Sequence, residues 1–226
     1  MDTDKAAEEL KVIRRLMERP IRYSTMSGLS GVLAGCAALA GLALDRYFWN
    51  RYDPETSMWI NMGVWMGVFL VALAGVLVLT RLRELKQSMP FWSSVKKRIA
   101  LTILPPFVAG VGLTLAIMYH WYCSIGPNQW GLIPAIWMLF YGVALWQLGE
   151  FSPREVRFLG AAFIIAGLIA GAFFQYNIPG ATTPLEEYAG FTLGFREGTV
   201  PYFTLGVTFG GFHIIYGIIV WVRHGG

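Results

Sequence analysis

Two of the three histidines, His120 and His213, fall in apolar stretches free of charge. Paired imidazoles on facing helices are a known way to hold haem iron, so this is the first chemistry to weigh. Depth argues against it. His120 stands about 21 residues beyond the basic start of its stretch and His213 about 11 residues from the other end of its own. At 1.5 Å per residue their heights differ by roughly 15 Å, whereas two axial nitrogens on one iron sit about 4 Å apart. No cofactor is therefore expected, and each histidine stands alone. His213 shares a helix face with Gly206, Gly210 and Gly217, which points its imidazole along a close-packed seam. A buried polar group at mid-membrane is a candidate for function by default, so His213 is the candidate for ligand contact or proton sensing. A hydrogen bond across the seam to a Thr, Tyr or Gln would satisfy the ring equally well.

The remaining constellations are weaker. His120 lies within Met118-Tyr119-His120-Trp121-Tyr122 and reads as part of an aromatic belt. Glu150 precedes Ser152-Pro153-Arg154-Glu155, a capping box with proline at the first helical position, and suits an ion pair with Arg154 or Arg157 better than acid catalysis. Cys36 and Cys123 fall at different depths and read as small core residues rather than a disulfide or metal site. There is no P-loop, GxSxG, HExxH or CxxC, so an enzyme would lack its nucleophile, metal cage or phosphate cradle. No catalytic or metal-binding residue is assigned. No Asp, Glu, Lys or Arg lies deep in a predicted span, which removes the usual machinery of ion-coupled transport.

These side chains need a scaffold, and the composition says which. The chain has 226 residues, 55% of them hydrophobic and only 14% charged, against roughly 25% charged in soluble domains. The charges are segregated: none occurs in 23–44, 56–80, 99–149, 158–185 or 198–222. A span needs about 20 apolar residues, and the longest stretch holds two, divided at Gly126-Pro127-Asn128. Period-two alternation is absent, which favours helices over a barrel. The expected fold is an all-α integral membrane protein. It has an N-terminal cytoplasmic amphipathic helix within 1–22 and a transmembrane domain of six helices over 23–226, with spans near 23–45, 58–80, 99–123, 130–150, 154–176 and 202–222.

Orientation follows from the cations. Of 18 Lys and Arg, all but Arg46, Arg51 and Arg196 fall on one side of this topology, which the positive-inside rule reads as both termini cytoplasmic. Trp49, Trp59, Trp121 and Trp130 gather at span ends on the other side, as an outer aromatic belt should. The bilayer is thus the first partner. The N-terminal helix and the basic loop 81–98 offer a docking surface for a cytoplasmic protein, and direct nucleic-acid binding is not expected. Small residues four apart form packing seams: Ser27, Gly31 and Gly35; Gly63 and Gly67; Gly167 and Gly171; Gly206 and Gly210. They join helices within the chain or between copies in a homo-oligomer. Val220 is expected on the outward face of the last helix. Pro105-Pro106 should bend the third span, and 177–200 is an irregular outer connection of unassigned role.

The chain resembles a family of small, uncharacterised bacterial multi-pass proteins. The resemblance rests on Ser27-Gly28-Leu29-Ser30-Gly31-Val32-Leu33-Ala34-Gly35, Phe140-Tyr141-Gly142, Glu155-Val156-Arg157-Phe158-Leu159-Gly160 and His213-Ile214-Ile215-Tyr216-Gly217-Ile218. It implies six helices in a bacterial inner membrane, no established activity, and a gene often beside one for a winged-helix regulator, hence signalling. Two functions are expected from the whole: a non-enzymatic scaffold or sensor, and alternatively a passive carrier or channel for a neutral or lipophilic solute centred on His213. A polar cavity reaching His213 would favour the second and a dry, glycine-packed core the first.

Overall fold

The computed structural model describes residues 28–49, 51–86, 94–123, 130–173 and 200–224. The amphipathic helix expected in 1–22, Ser27 and the connection 177–199 lie outside the described residues. Those described form six helices: α1 (Gly28–Trp49), α2 (Pro54–Lys86), α3 (Ser94–Tyr122), α4 (Leu132–Leu148), α5 (Arg154–Phe173) and α6 (Val200–His224). Five of them are long and apolar enough to cross a membrane, whereas α4 has only 17 residues. Successive helices run up and down, so one end of the bundle collects Arg81, Arg83, Lys96, Arg154, Arg157 and Arg223. This is called the basic end below.

Local chemistry sets the helix boundaries. The turn after α1 closes with Arg51 N–H on the Phe48 carbonyl at 2.9 Å. Asp53 then caps α2, its Oδ2 accepting from the Thr56 N–H at 3.0 Å, with Pro54 at the first helical position, where a missing N–H costs nothing. The α4–α5 connection is as short, with Phe151 N–H on the Leu148 carbonyl at 3.0 Å and Val156 N–H on the Pro153 carbonyl at 3.1 Å. Ser152 is buried. Glu155 reaches across to Arg223 of α6 at 3.0 Å. α3 runs on through Pro105 and Pro106.

Two helix pairs carry the architecture. α1 packs along α6 and α4 along α5, while α5 and α6 join the pairs into one bundle. Both pairs approach so closely that glycine is required. A Cβ on Gly217 would lie 2.6 Å from both the Gly28 carbonyl oxygen and the Val32 nitrogen, and one on Gly35 2.7 Å from the Gly210 oxygen. In the second pair, a Cβ on Gly142 would lie 2.7 Å from the Ile164 nitrogen, and one on Gly160 2.6 Å from the Trp146 nitrogen. Such approaches let backbones make dispersion contacts along several turns, the main attraction between helices in lipid. Between the pairs Phe163, fully buried, packs against Phe209 at a tilt and edge-to-face against Phe212 and Tyr141, with ring centroids 4.6, 5.2 and 5.0 Å away.

α2 and α3 are consecutive yet pack chiefly against other helices, α2 on α1 and α3 on α4. No residue in the most apolar window of α2 is buried. They meet at the basic end, where Lys96 donates to buried Glu84 at 2.6 Å, and at mid-height, where the Phe69 and Phe107 rings lie 5.8 Å apart.

Candidate functional site

Because α2 and α3 flank the locked pairs without closing on each other, space remains between them. Among the described residues, two cavities lie there. The one towards the basic end, about 270 Å³, is lined from α1 to α6 and reaches Tyr141, His213 and Tyr216. The other, about 670 Å³, lies towards the opposite end and reaches Asn61, Trp65 and Tyr202. Val68, Phe69, Phe107, Trp137 and Phe209 line both, so the two abut at a waist of mostly aromatic rings. Met66, Leu104, Val108 and Leu115 line the larger cavity while standing more than half exposed on the bundle surface. It therefore opens sideways, towards lipid. Among the described residues, no Asp, Glu, Lys or Arg lines either cavity.

The polar centre is a dyad. His213 Nδ1 lies 2.8 Å from the Phe209 carbonyl oxygen, which can only accept, so Nδ1 carries the proton. Nε2 then offers its lone pair and accepts from the Tyr141 hydroxyl at 2.6 Å. One neutral imidazole thus satisfies both bonds and ties α4 to α6. Phe209 stacks on the imidazole, with centroids 5.8 Å apart and planes 22° apart. This is the hydrogen bond between helices that the sequence admitted for His213, and it sits in a cavity wall.

Two acids are buried at or past the ends of the expected spans 23–45 and 58–80. α1 and α2 extend past their charge-free stretches and so include Asp45 and Glu84, 6% and 1% exposed. Asp45 Oδ1 accepts from the amide of buried Asn61 at 2.7 Å, fastening α1 to α2 beside the larger cavity. Glu84 is held by Lys96 and, at 3.8 Å, by Arg81. Tyr202 donates to the Trp130 carbonyl at 3.2 Å, and Trp137 Nε1 to Thr114 Oγ1 at 3.1 Å, closing the far wall.

The other sequence candidates scatter. His120 is exposed near the end of α3, its ring 6.4 Å from Tyr119, and lines neither cavity. Glu150 is exposed and pairs with Arg157. Gly31 and Gly35 meet α6, Gly206 meets Leu42, Gly210 meets Leu39, Gly217 meets Gly28 and Val32, and Gly167 meets Leu139. Gly171 is only in ordinary contact, an added Cβ lying 3.9 Å from Ala135 Cβ. Gly63 and Gly67 pack against no helix of this chain among the described residues: a Cβ on either would meet nothing within 4 Å, since α2 turns that face away from its neighbours. Val220 is buried at 2% exposure rather than outward. Both cysteines are exposed on the bundle surface rather than in the core. Trp130, expected in the belt, is buried with Ile117 and Ile133. Among the described residues no three His, Cys, Asp or Glu side chains gather as a metal site would require.

No family model, curated protein or solved structure matches the chain.

Proposed function

We propose that this chain is a non-enzymatic membrane component that binds a neutral lipophilic solute between α2 and α3 and acts as its sensor. The observation that carries the reading is the laterally open pair of cavities, uncharged and largely aromatic at the waist, that ends on the Tyr141–His213 dyad. The larger volume, about 670 Å³, suits a small molecule, for which sites of roughly 300–1,000 Å³ are usual. Entry from lipid demands no desolvation of the ligand, and an uncharged wall rejects ionic headgroups through the cost of burying unpaired charge. His213 is the residue through which occupancy would be felt, because a shift at Phe209 or Tyr141 moves its two bonds together.

In this reading all six helices span a bacterial inner membrane, both termini face the cytoplasm, and the basic end is the cytoplasmic end. The charge split supports that orientation. A cytoplasmic protein would read the state of the bundle through 1–22 and 81–98, a homo-oligomer remaining compatible through exposed faces. A passive carrier for the same solute is the second reading, favoured by the two cavities lying next to each other with shared wall residues.

The test uses Gly112, which lines the larger cavity and has nothing within 4 Å of an added Cβ. Gly112→Phe should fill the space and leave the fold intact. Wild-type protein purified from native membrane should carry a lipophile identifiable by mass spectrometry, and Gly112→Phe should carry little. Equal recovery from two equally folded proteins would refute the site.

A further inference from the structure

We propose that an anionic phospholipid docks lengthwise on the exposed face of α3, with its headgroup on Lys97 and Arg98 and an acyl chain running down to the mouth of the larger cavity. This docking needs no solute in the cavities. Its first ground is the charge balance of the basic end. Among the described residues the acids there are Glu84, Glu150 and Glu155, and each already holds a cation: Glu84 has Lys96 and Arg81, Glu150 has Arg157, and Glu155 has Arg223. Lys97 and Arg98 are exposed and enter no ion pair among those residues. The Lys96–Glu84 bond sets the last turn of α2 beside the first turn of α3, which brings Lys86, also exposed, to the same rim. A positive surplus therefore gathers where these two helices end.

The second ground is what lies below the cations. Lys97, Leu101, Leu104, Val108 and Leu115 follow one another at intervals of three, four or seven residues, so they share one helix face. The four apolar members are more than half exposed, and Leu104, Val108 and Leu115 also line the larger cavity. The stripe thus leads from the cations to the lateral opening. From Lys97 to Val108 the helix rises roughly 16 Å, close to the depth of one leaflet's hydrocarbon, half of the ~30 Å core. A headgroup at Lys97 and Arg98 places the end of its acyl chain at the opening. Cations beside a membrane surface attract anionic lipid, whereas a zwitterionic lipid would match the stripe and leave the surplus charge unanswered. A soluble anion would match the charge and leave the stripe bare. A lipid held in this way lies across the opening, so a solute entering from that side must pass it.

The experiment titrates phospholipids against the full chain in a neutral detergent and measures bound lipid by native mass spectrometry. Dioleoylphosphatidylglycerol should bind at least tenfold more tightly than dioleoylphosphatidylcholine, which has the same tails and no net charge. Lys97→Gln and Arg98→Gln should each weaken the glycerol lipid about fivefold, the effect of one cation at a membrane surface, and leave the choline lipid and the melting temperature unchanged. Arg154→Gln removes an exposed cation from α5 at the same end and should leave the affinity as it was. An equal loss in that variant would reveal a diffuse field in place of a seat on α3 and would overturn the assignment. Dihexanoylphosphatidylglycerol keeps the headgroup and most of its charge contacts but cannot reach Val108, so it should bind at least tenfold more weakly than the dioleoyl form. Equal binding of the two would remove the stripe from the site, and equal binding of the glycerol and choline lipids would remove the cations. Failure of all three lipids to bind would leave this surface to an acidic protein and end the lipid proposal.

Discussion

The α1/α6 pair and the α2/α3 side solve opposite problems with similar residues. Both are apolar and contain glycines, yet in α1/α6 an added Cβ on Gly28 would come within 2.5 Å of the Gly217 oxygen, whereas on Gly63, Gly67 and Gly112 it would touch nothing within 4 Å. The first set of glycines removes side chains so that backbones can meet. The second set borders free surface or a cavity. A small-residue repeat thus marks an available groove, and whether a helix fills it depends on what the rest of the fold brings there. Rigidity sits in the two glycine-locked pairs, and the space for a ligand sits where locking stops.

The comparison breaks most visibly by substitution. Gly217→Leu must push α1 from α6 along several turns, since the obstacles are the Gly28 carbonyl and the Val32 backbone rather than a flexible side-chain end. A loss of about 3 kcal/mol or more is expected, at the upper end for overpacking. Gly67→Leu should cost almost nothing and gain helix propensity, up to about 1 kcal/mol. Val222, exposed at 81%, serves as the surface control. Thermal unfolding of the variants in one detergent checks the ordering, and similar melting temperatures for Gly217→Leu and Gly67→Leu would abolish the distinction between the two regions.

The hydrogen bond between the locked pairs is next in size. His213→Leu would orphan the Tyr141 hydroxyl in the cavity wall, at a cost of about 1–3 kcal/mol. His213→Gln keeps an acceptor within reach of Tyr141 and should lose less than half as much. If both variants melt alike, the dyad does not join α4 to α6. If His213→Leu folds well and fully complements a deletion strain, His213 has no role in sensing.

How much of this could be read beforehand differs along the chain. Helix positions were legible because a charge-free run of about 20 residues has few alternatives in lipid. The limits were less so, since Asp45 and Glu84 each continue a helix whose apolar stretch has ended. A charge can stay inside a span when a partner such as Asn61 or Lys96 comes from another helix, and that pairing is tertiary. His213 stood out as a lone polar side chain, whereas Tyr141 did not, because a tyrosine in an apolar run looks like packing. The α4/α5 seam was legible only in part: the Gly167–Gly171 repeat of α5 does face α4, but its closest approach is made by Gly142 and Gly160, single glycines that face each other across the two helices and belong to no repeat. The cavities left no trace, for they arise from a contact that α2 and α3 do not make.

The smallest expected effect concerns how α2 is held when no partner locks it. Its first turn depends on Asp53, whose carboxylate accepts the Thr56 N–H at 3.0 Å, and that backbone bond holds the carboxyl below its usual range. Asp53 lies in the turn before the apolar stretch, exposed to water. The sign follows from the direction of the shift: the unfolded carboxyl titrates near its ordinary value of roughly 3.9, and the capped one below it. The cap therefore contributes fully above that value, and its contribution fades as pH falls from about 4 towards the folded pKa. Asp53→Ser keeps a capping oxygen without a charge. The difference in melting temperature between wild type and Asp53→Ser should be constant from pH 7 to about pH 5 and shrink below about pH 4. The remaining acids act in both proteins, so the difference isolates this one. A difference that grew on acidification would mean that the carboxyl is protonated more readily in the folded state, and Asp53 would then not be the cap that fixes the start of α2.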